Sequence, residues 1–135
     1  MQDLHLAWNV LLKGAFVEGV LLDSAQIAKT AVDAASDKKA SDIILLDIRD
    51  VTTFADYFVI CSGNNPRQIQ AIADAIDEEL GKQGAEVLHQ EGVAESGWLL
   101  LDVGDVIVHI FGTKEREYYR LERLWNEAKT VVYLQ

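Results

Sequence analysis

Asp102 and Asp105 stand three residues apart around a glycine, and Asp47 and Asp50 repeat the spacing. Paired carboxylates hold magnesium in phosphoryl transfer. A two-metal site sets its acids as Asp-x-Asp on one strand face, and neither pair does so. Ser62-Gly63-Asn64-Asn65 leads into Pro66, where backbone N–H groups at a helix start can meet a phosphate. The stretch lacks a P-loop lysine and a glycine fingerprint, and reads more simply as a strand-to-helix turn. Cys61, the only cysteine, closes an apolar strand with no histidine fixed beside it; it reads as a small buried hydrophobe, not a nucleophile. His5, His89 and His109 are scattered, and no zinc site is expected. Lys114-Glu115-Arg116-Glu117 reads as a solvated first helical turn.

The densest pattern is a hairpin. Trp98 to Asp102 and Val106 to Phe111 read as strands joined by a tight turn at Val103-Gly104. With that loop, Asp102 faces Asp105, Leu101 faces Val106, Leu100 faces Ile107, Leu99 faces Val108 and Trp98 faces His109. Side chains alternate, so Leu99, Leu101, Val106, Val108 and Ile110 form a wholly aliphatic core face. The other face holds Trp98, Leu100, Asp102, Asp105, Ile107 and His109. It is too apolar for a plain solvated surface, and it opposes two like charges, which destabilises a pair. An aromatic and aliphatic patch edged by acids fits a protein-binding surface. The competing expectation is a helix laid over Trp98, Leu100 and Ile107, with the aspartates at its rim.

Other elements must hold that hairpin. Ser24 is expected to cap a helix to about Lys38, with Ile27, Ala28, Ala31, Val32 and Ala35 on one side. Ile43–Ile48 and Tyr57–Cys61 read as strands. Asn65 caps, and Pro66 starts, a helix carrying Ile69, Ile72, Ala73, Ile76 and Leu80, bracketed by Gly81 and Gly84. Ala85–His89 reads as a marginal strand. Thr113 is expected to cap a last helix whose buried stripe is Tyr118, Leu121, Leu124, Trp125 and Ala128. The tail Val131–Leu134 is expected to pack or to add an edge strand. The order α-β-β-α-β-β-β-α predicts an α+β fold: one mixed sheet of about five strands with flanking helices.

The 135 residues suit one domain, and no Gly/Ser-rich linker divides them. Residues 1–22 read as an N-terminal extension, 23–130 as the domain and 131–135 as a tail. Leu4, Trp8, Leu11, Leu12 and Ala15 have helical spacing in the extension, a packing helix without chemistry. Its first charge is Asp3, which does not fit a signal peptide, and Lys13 and Glu18 interrupt a run short for a membrane span. Twelve Lys and Arg against 22 Asp and Glu give a net charge of −10. That balance opposes a nucleic-acid groove and favours a basic protein partner. A lone cysteine fits a reducing cytosol.

Several stretches resemble the ribosomal silencing factor family, also called Iojap-like. They are Lys39-Ala40-Ser41-Asp42-Ile43-Ile44-Leu45-Leu46-Asp47, Ala55-Asp56-Tyr57-Phe58-Val59-Ile60-Cys61-Ser62-Gly63, Gly97 through Phe111, and Arg116-Glu117-Tyr118-Tyr119-Arg120-Leu121-Glu122-Arg123-Leu124-Trp125. The resemblance covers about Ser24 to Ala128. It implies a cytoplasmic translation repressor with no enzymatic activity and no cofactor, on a nucleotidyltransferase-like fold. It implies binding to the large ribosomal subunit through that subunit's ribosomal protein number fourteen, which blocks joining of the small subunit when nutrients run short. Free members are expected as homodimers. The family's hairpin tryptophan matches Trp98, and the contact surface carried over is Trp98, Leu100, Asp102, Asp105 and His109, with Tyr118 and Tyr119 from the helix. The alternative is a nucleotide-handling enzyme that uses the Ser62-Gly63 turn for phosphate and Asp102 with Asp105 for magnesium. A third reading is a homodimeric scaffold using the hairpin face on itself.

Overall fold

The computed structural model describes residues 23–135; the helix expected on Leu4, Trp8, Leu11, Leu12 and Ala15 lies outside them. The first element, α1 (Ser24–Asp37), is capped by Asp23, whose carboxylate accepts the Gln26 N–H at 2.8 Å. Ser24 is not the cap. Its hydroxyl donates instead to Asp56 Oδ2 at 2.7 Å, tying the helix to the loop before the second strand. Strands β1 (Ser41–Asp47) and β2 (Tyr57–Gly63) follow, then α2 (Pro66–Lys82). Here the expected signals hold: Asn65 accepts the Gln68 N–H at 2.9 Å and Pro66 is the first helical residue.

The hairpin is β4 (Trp98–Asp102) and β5 (Val106–Gly112), preceded by β3 (His89–Glu91) and a single 3-10 turn at Ala94–Ser96. β3 starts where the expected strand ended. All three of its residues are exposed, so no apolar alternation marks it. Two short helices, α3 (Thr113–Tyr119) and α4 (Leu121–Leu124), replace the single last helix. Arg120 between them takes φ +47°, a left-handed conformation that ends a helix for any L residue. Gly112 stands at the cap position that Thr113 was expected to fill. The chain returns as β6 (Lys129–Leu134), which pairs antiparallel with β1 and makes the sheet six-stranded, in the order β3-β4-β5-β2-β1-β6.

Among the described strands only β2 and β5 run parallel. They register Tyr57 against Val106 and Ser62 against Phe111, at the centre of the sheet. Both α1 and α2 lie on one face. Ala28, Ala31 and Ala35 of α1 and Ile69, Ile72 and Ile76 of α2 bury Leu45, Val59, Leu99, Leu101, Val108 and Ile110. The alanines let α1 approach closely, and the branched aliphatic strand residues fill the pleat. The opposite face carries a second cluster of Leu46, Ile48, Phe58, Ile60 and Phe111. Leu121 of α4, and Trp125 and Ala128 from the turn after it, pack against it.

Candidate partner-binding face

The hairpin sets this second face. β4 and β5 pair Trp98 with Phe111, Leu99 with Ile110, Leu100 with His109, Leu101 with Val108 and Asp102 with Ile107. This corrects the expected register by two residues. The loop is Gly104-Asp105, closed by a Val103 N–H to Val106 carbonyl bond of 2.9 Å. Tight hairpin turns need a positive φ at their first central residue. Gly104 has φ +87°, whereas β-branched Val103 would be strained there. A shift of two preserves the alternation, so Leu99, Leu101, Val106, Val108 and Ile110 still form one sealed face. The opposed aspartates do not exist. Asp102 accepts the Gly104 N–H at 2.9 Å, bracing the turn, and Asp105 lies within the loop. The Asp105 carbonyl accepts from the Asp56 and Tyr57 N–H groups, which anchors the turn to β2.

Trp98 is half-buried at the centre of an aromatic group. Its ring lies 5.0 Å from Phe111 below and 4.6 Å from Tyr119, which leans in from the end of α3. Its indole N–H donates to His109 Nδ1 at 3.2 Å. His109 is only 5 % exposed, so it sits beneath the surface and meets Trp98 from inside rather than facing outward. Phe58 packs edge-on to His109 at 5.0 Å, and Trp125 edge-on to Phe58 at 5.1 Å. Burial pushes the His109 pKa down to about 4, so the ring is neutral near pH 7.

Leu100, Asp102 and Ile107 are half-buried on the same sheet face as Trp98, Leu100 two residues along the strand and Asp102 and Ile107 at the turn end of the hairpin. Both tyrosines reach solvent. Tyr118 is 80 % exposed, turned away from the buried stripe expected of it, and stands edge-on to Tyr119 at 5.0 Å. Sequence reasoning missed Phe111, Phe58, Phe54 and Trp125, which complete the aromatic group. Phe111 could have been found from the corrected turn. Phe58 depends on the parallel β2–β5 pairing, which is not local.

Arg116 holds the covering segment in place. Its guanidinium donates to Ser62 Oγ at 3.0 Å and to Glu122 at 3.2 Å, so it joins α3, α4 and β2. The two expected coverings therefore meet halfway: Tyr119 of α3 and Trp125 in the turn after α4 cover Phe111 and Phe58 but leave the Trp98 edge open.

The parts of the nucleotide-handling alternative are separated. Ser62 registers with Phe111 at one end of β5, whereas Asp102 registers with Ile107 toward the other. Four strand residues at about 3.3 Å each put roughly 13 Å between them. Ser62 is 2 % exposed, and its hydroxyl already accepts from Arg116. Among the described residues no three His, Cys, Asp or Glu side chains gather as a metal site would require. Cys61 is fully buried, and burial pushes its thiol up to about 12, as expected of an inert core residue.

Residues 22–135 match the family described as "Ribosomal silencing factor during starvation". A ribosomal silencing factor of Bacillus subtilis is 45% identical over 107 residues, covering 79% of this chain and 91% of that protein. The chloroplastic protein Iojap of Zea mays is 35% identical over 112 residues, 81% of this chain and 49% of that protein. A crystal structure of a Chromobacterium violaceum protein superposes with a TM-score of 0.74 at 33% identity, covering 82% of this chain and 94% of that one. One from Bacillus halodurans gives 0.67 at 41% identity, covering 77% and 94%.

Proposed function

This chain belongs to the ribosomal silencing factor family, and from that membership and the open aromatic face we propose that it is a cytoplasmic translation repressor acting by steric exclusion. It binds the large ribosomal subunit through ribosomal protein number fourteen and occupies the surface where the small subunit would dock. No bond is made or broken; affinity and bulk at the joining face suffice. In the free state the chain is a homodimer.

The observation that carries this reading is Trp98. On the hairpin its ring is half-open, backed by Phe111 and flanked by Tyr119 of α3. A large aromatic held in one orientation loses little entropy on docking and is a usual interface anchor. Leu100 and Tyr119 extend the apolar contact, Tyr118 stands at its edge, and Asp102 and Asp105 supply acid at the hairpin tip. The net charge of −10 adds selectivity. Ribosomal proteins are basic and sit in RNA, so an acidic domain is repelled by rRNA phosphate and drawn to a cationic protein patch.

A subunit-joining assay with purified protein tests this directly. The wild-type chain is expected to co-sediment with large subunits and to block their joining to small subunits. Trp98→Ala is expected to lose about 2 kcal/mol of binding, near thirtyfold, and to restore joining. Unchanged sedimentation of that variant would remove Trp98 as the anchor.

A further inference from the structure

Resting on the docking role of Trp98, we infer that His109 is a positioning residue, whose Nδ1 lone pair holds the indole in its docking orientation from below. The Trp98 N–H points to that atom at 3.2 Å. A bond in this direction needs Nδ1 bare, so the neutral ring carries its proton on Nε2. Nε2 is buried and finds no hydrogen-bond partner among the described residues. The ring is walled by Phe58, edge-on at 5.0 Å, and by Phe111, stacked at 6.2 Å.

An orphaned donor among aromatic rings is a cost with no local return. Phenylalanine would fill the same space without it. What histidine adds at this position is therefore the acceptor facing Trp98. That bond gives the indole a direction. Phe111 and Tyr119 restrain the ring only by packing, which a flipped indole would also satisfy. The hydrogen bond distinguishes the two ring orientations before any partner arrives, so less ordering remains to be done on binding. Burial supports the arrangement, because it keeps the ring neutral and Nδ1 free to accept.

The first test uses the unmodified full-length chain. Ring nitrogen-15 shifts of His109 at neutral pH are expected to show a proton on Nε2 and a bare Nδ1; a proton on Nδ1 overturns the inference. The second uses His109→Phe, which keeps an aromatic ring, and His109→Asn, whose side-chain oxygen restores an acceptor near Nδ1. His109→Phe is expected to weaken large-subunit binding about three- to tenfold and to move the Trp98 indole resonance, identified by its absence in Trp98→Phe. His109→Asn is expected to recover part of the binding and shift the resonance back. Wild-type binding by His109→Phe, or equal weakening in both variants, overturns the inference. Failure of Trp98→Ala to weaken binding would instead strike at the docking role while leaving the nitrogen-15 pattern as it is, so the two failures are distinguishable.

Discussion

Neighbouring residues of one strand lead opposite lives in this molecule. Leu99 points into a face sealed by two long helices, and Trp98 points into a face only partly roofed by two short ones. The sealed side of the hairpin is aliphatic throughout, while its other side gathers Trp98, His109 and Phe111. Aliphatic packing gives stability and needs no orientation beyond shape. Aromatic rings in tilted and edge-on contact also fix direction, which a surface meant to meet another molecule requires. The division implies that stability and docking can be altered separately through alternate residues of the same strand.

Leu101→Ala is the strongest way to try this division. Leu101 is 1 % exposed, and its truncation is expected to cost about 2–5 kcal/mol in urea unfolding. The remaining folded protein should bind large subunits as tightly as before. Weaker binding per folded molecule would show the faces to be coupled.

A second handle is pH. The native His109 pKa of about 4 lies below its unfolded value near 6.5, so between these limits the unfolded chain takes up a proton that the native chain refuses. Stability from this group is complete above about pH 6.5 and is lost as pH falls toward 4, by about 1.4 kcal/mol per unit. His109→Phe should flatten that slope when urea midpoints are compared across the window. An unchanged slope would mean that the ring is not buried as described.

Gly104→Ala would strain the turn shared by both faces. At φ +87° the expected loss is about 1 kcal/mol of stability, read by thermal unfolding, with binding of the folded protein unchanged. Smallest of all is Tyr118→Ala. At 80 % exposure it should change stability by less than about 0.5 kcal/mol, so a clear fall in subunit binding would extend the docking surface outward from Tyr119 to Tyr118.

Parity was the most legible feature of the sequence. Alternation assigns the hairpin residues to their faces even when the loop is placed one residue early, because the error shifts pairing by two. The register itself was readable too, since a valine cannot comfortably take the first turn position and a glycine can. Depth was not readable. Alternation puts His109 on the face of Trp98, but its burial comes from Phe58 on a strand paired in parallel from far along the chain. The break at Arg120 was hidden as well, because apolar spacing through Tyr118, Leu121 and Trp125 looks like one continuous helix.

Cys61 acquires a practical meaning from its place in β2. It is the only thiol in the chain, fully enclosed and held protonated by its surroundings. An alkylating reagent can reach it only when the central strands come apart. Its labelling rate therefore serves as an internal clock for rare global opening, against which any substitution on either face can be timed.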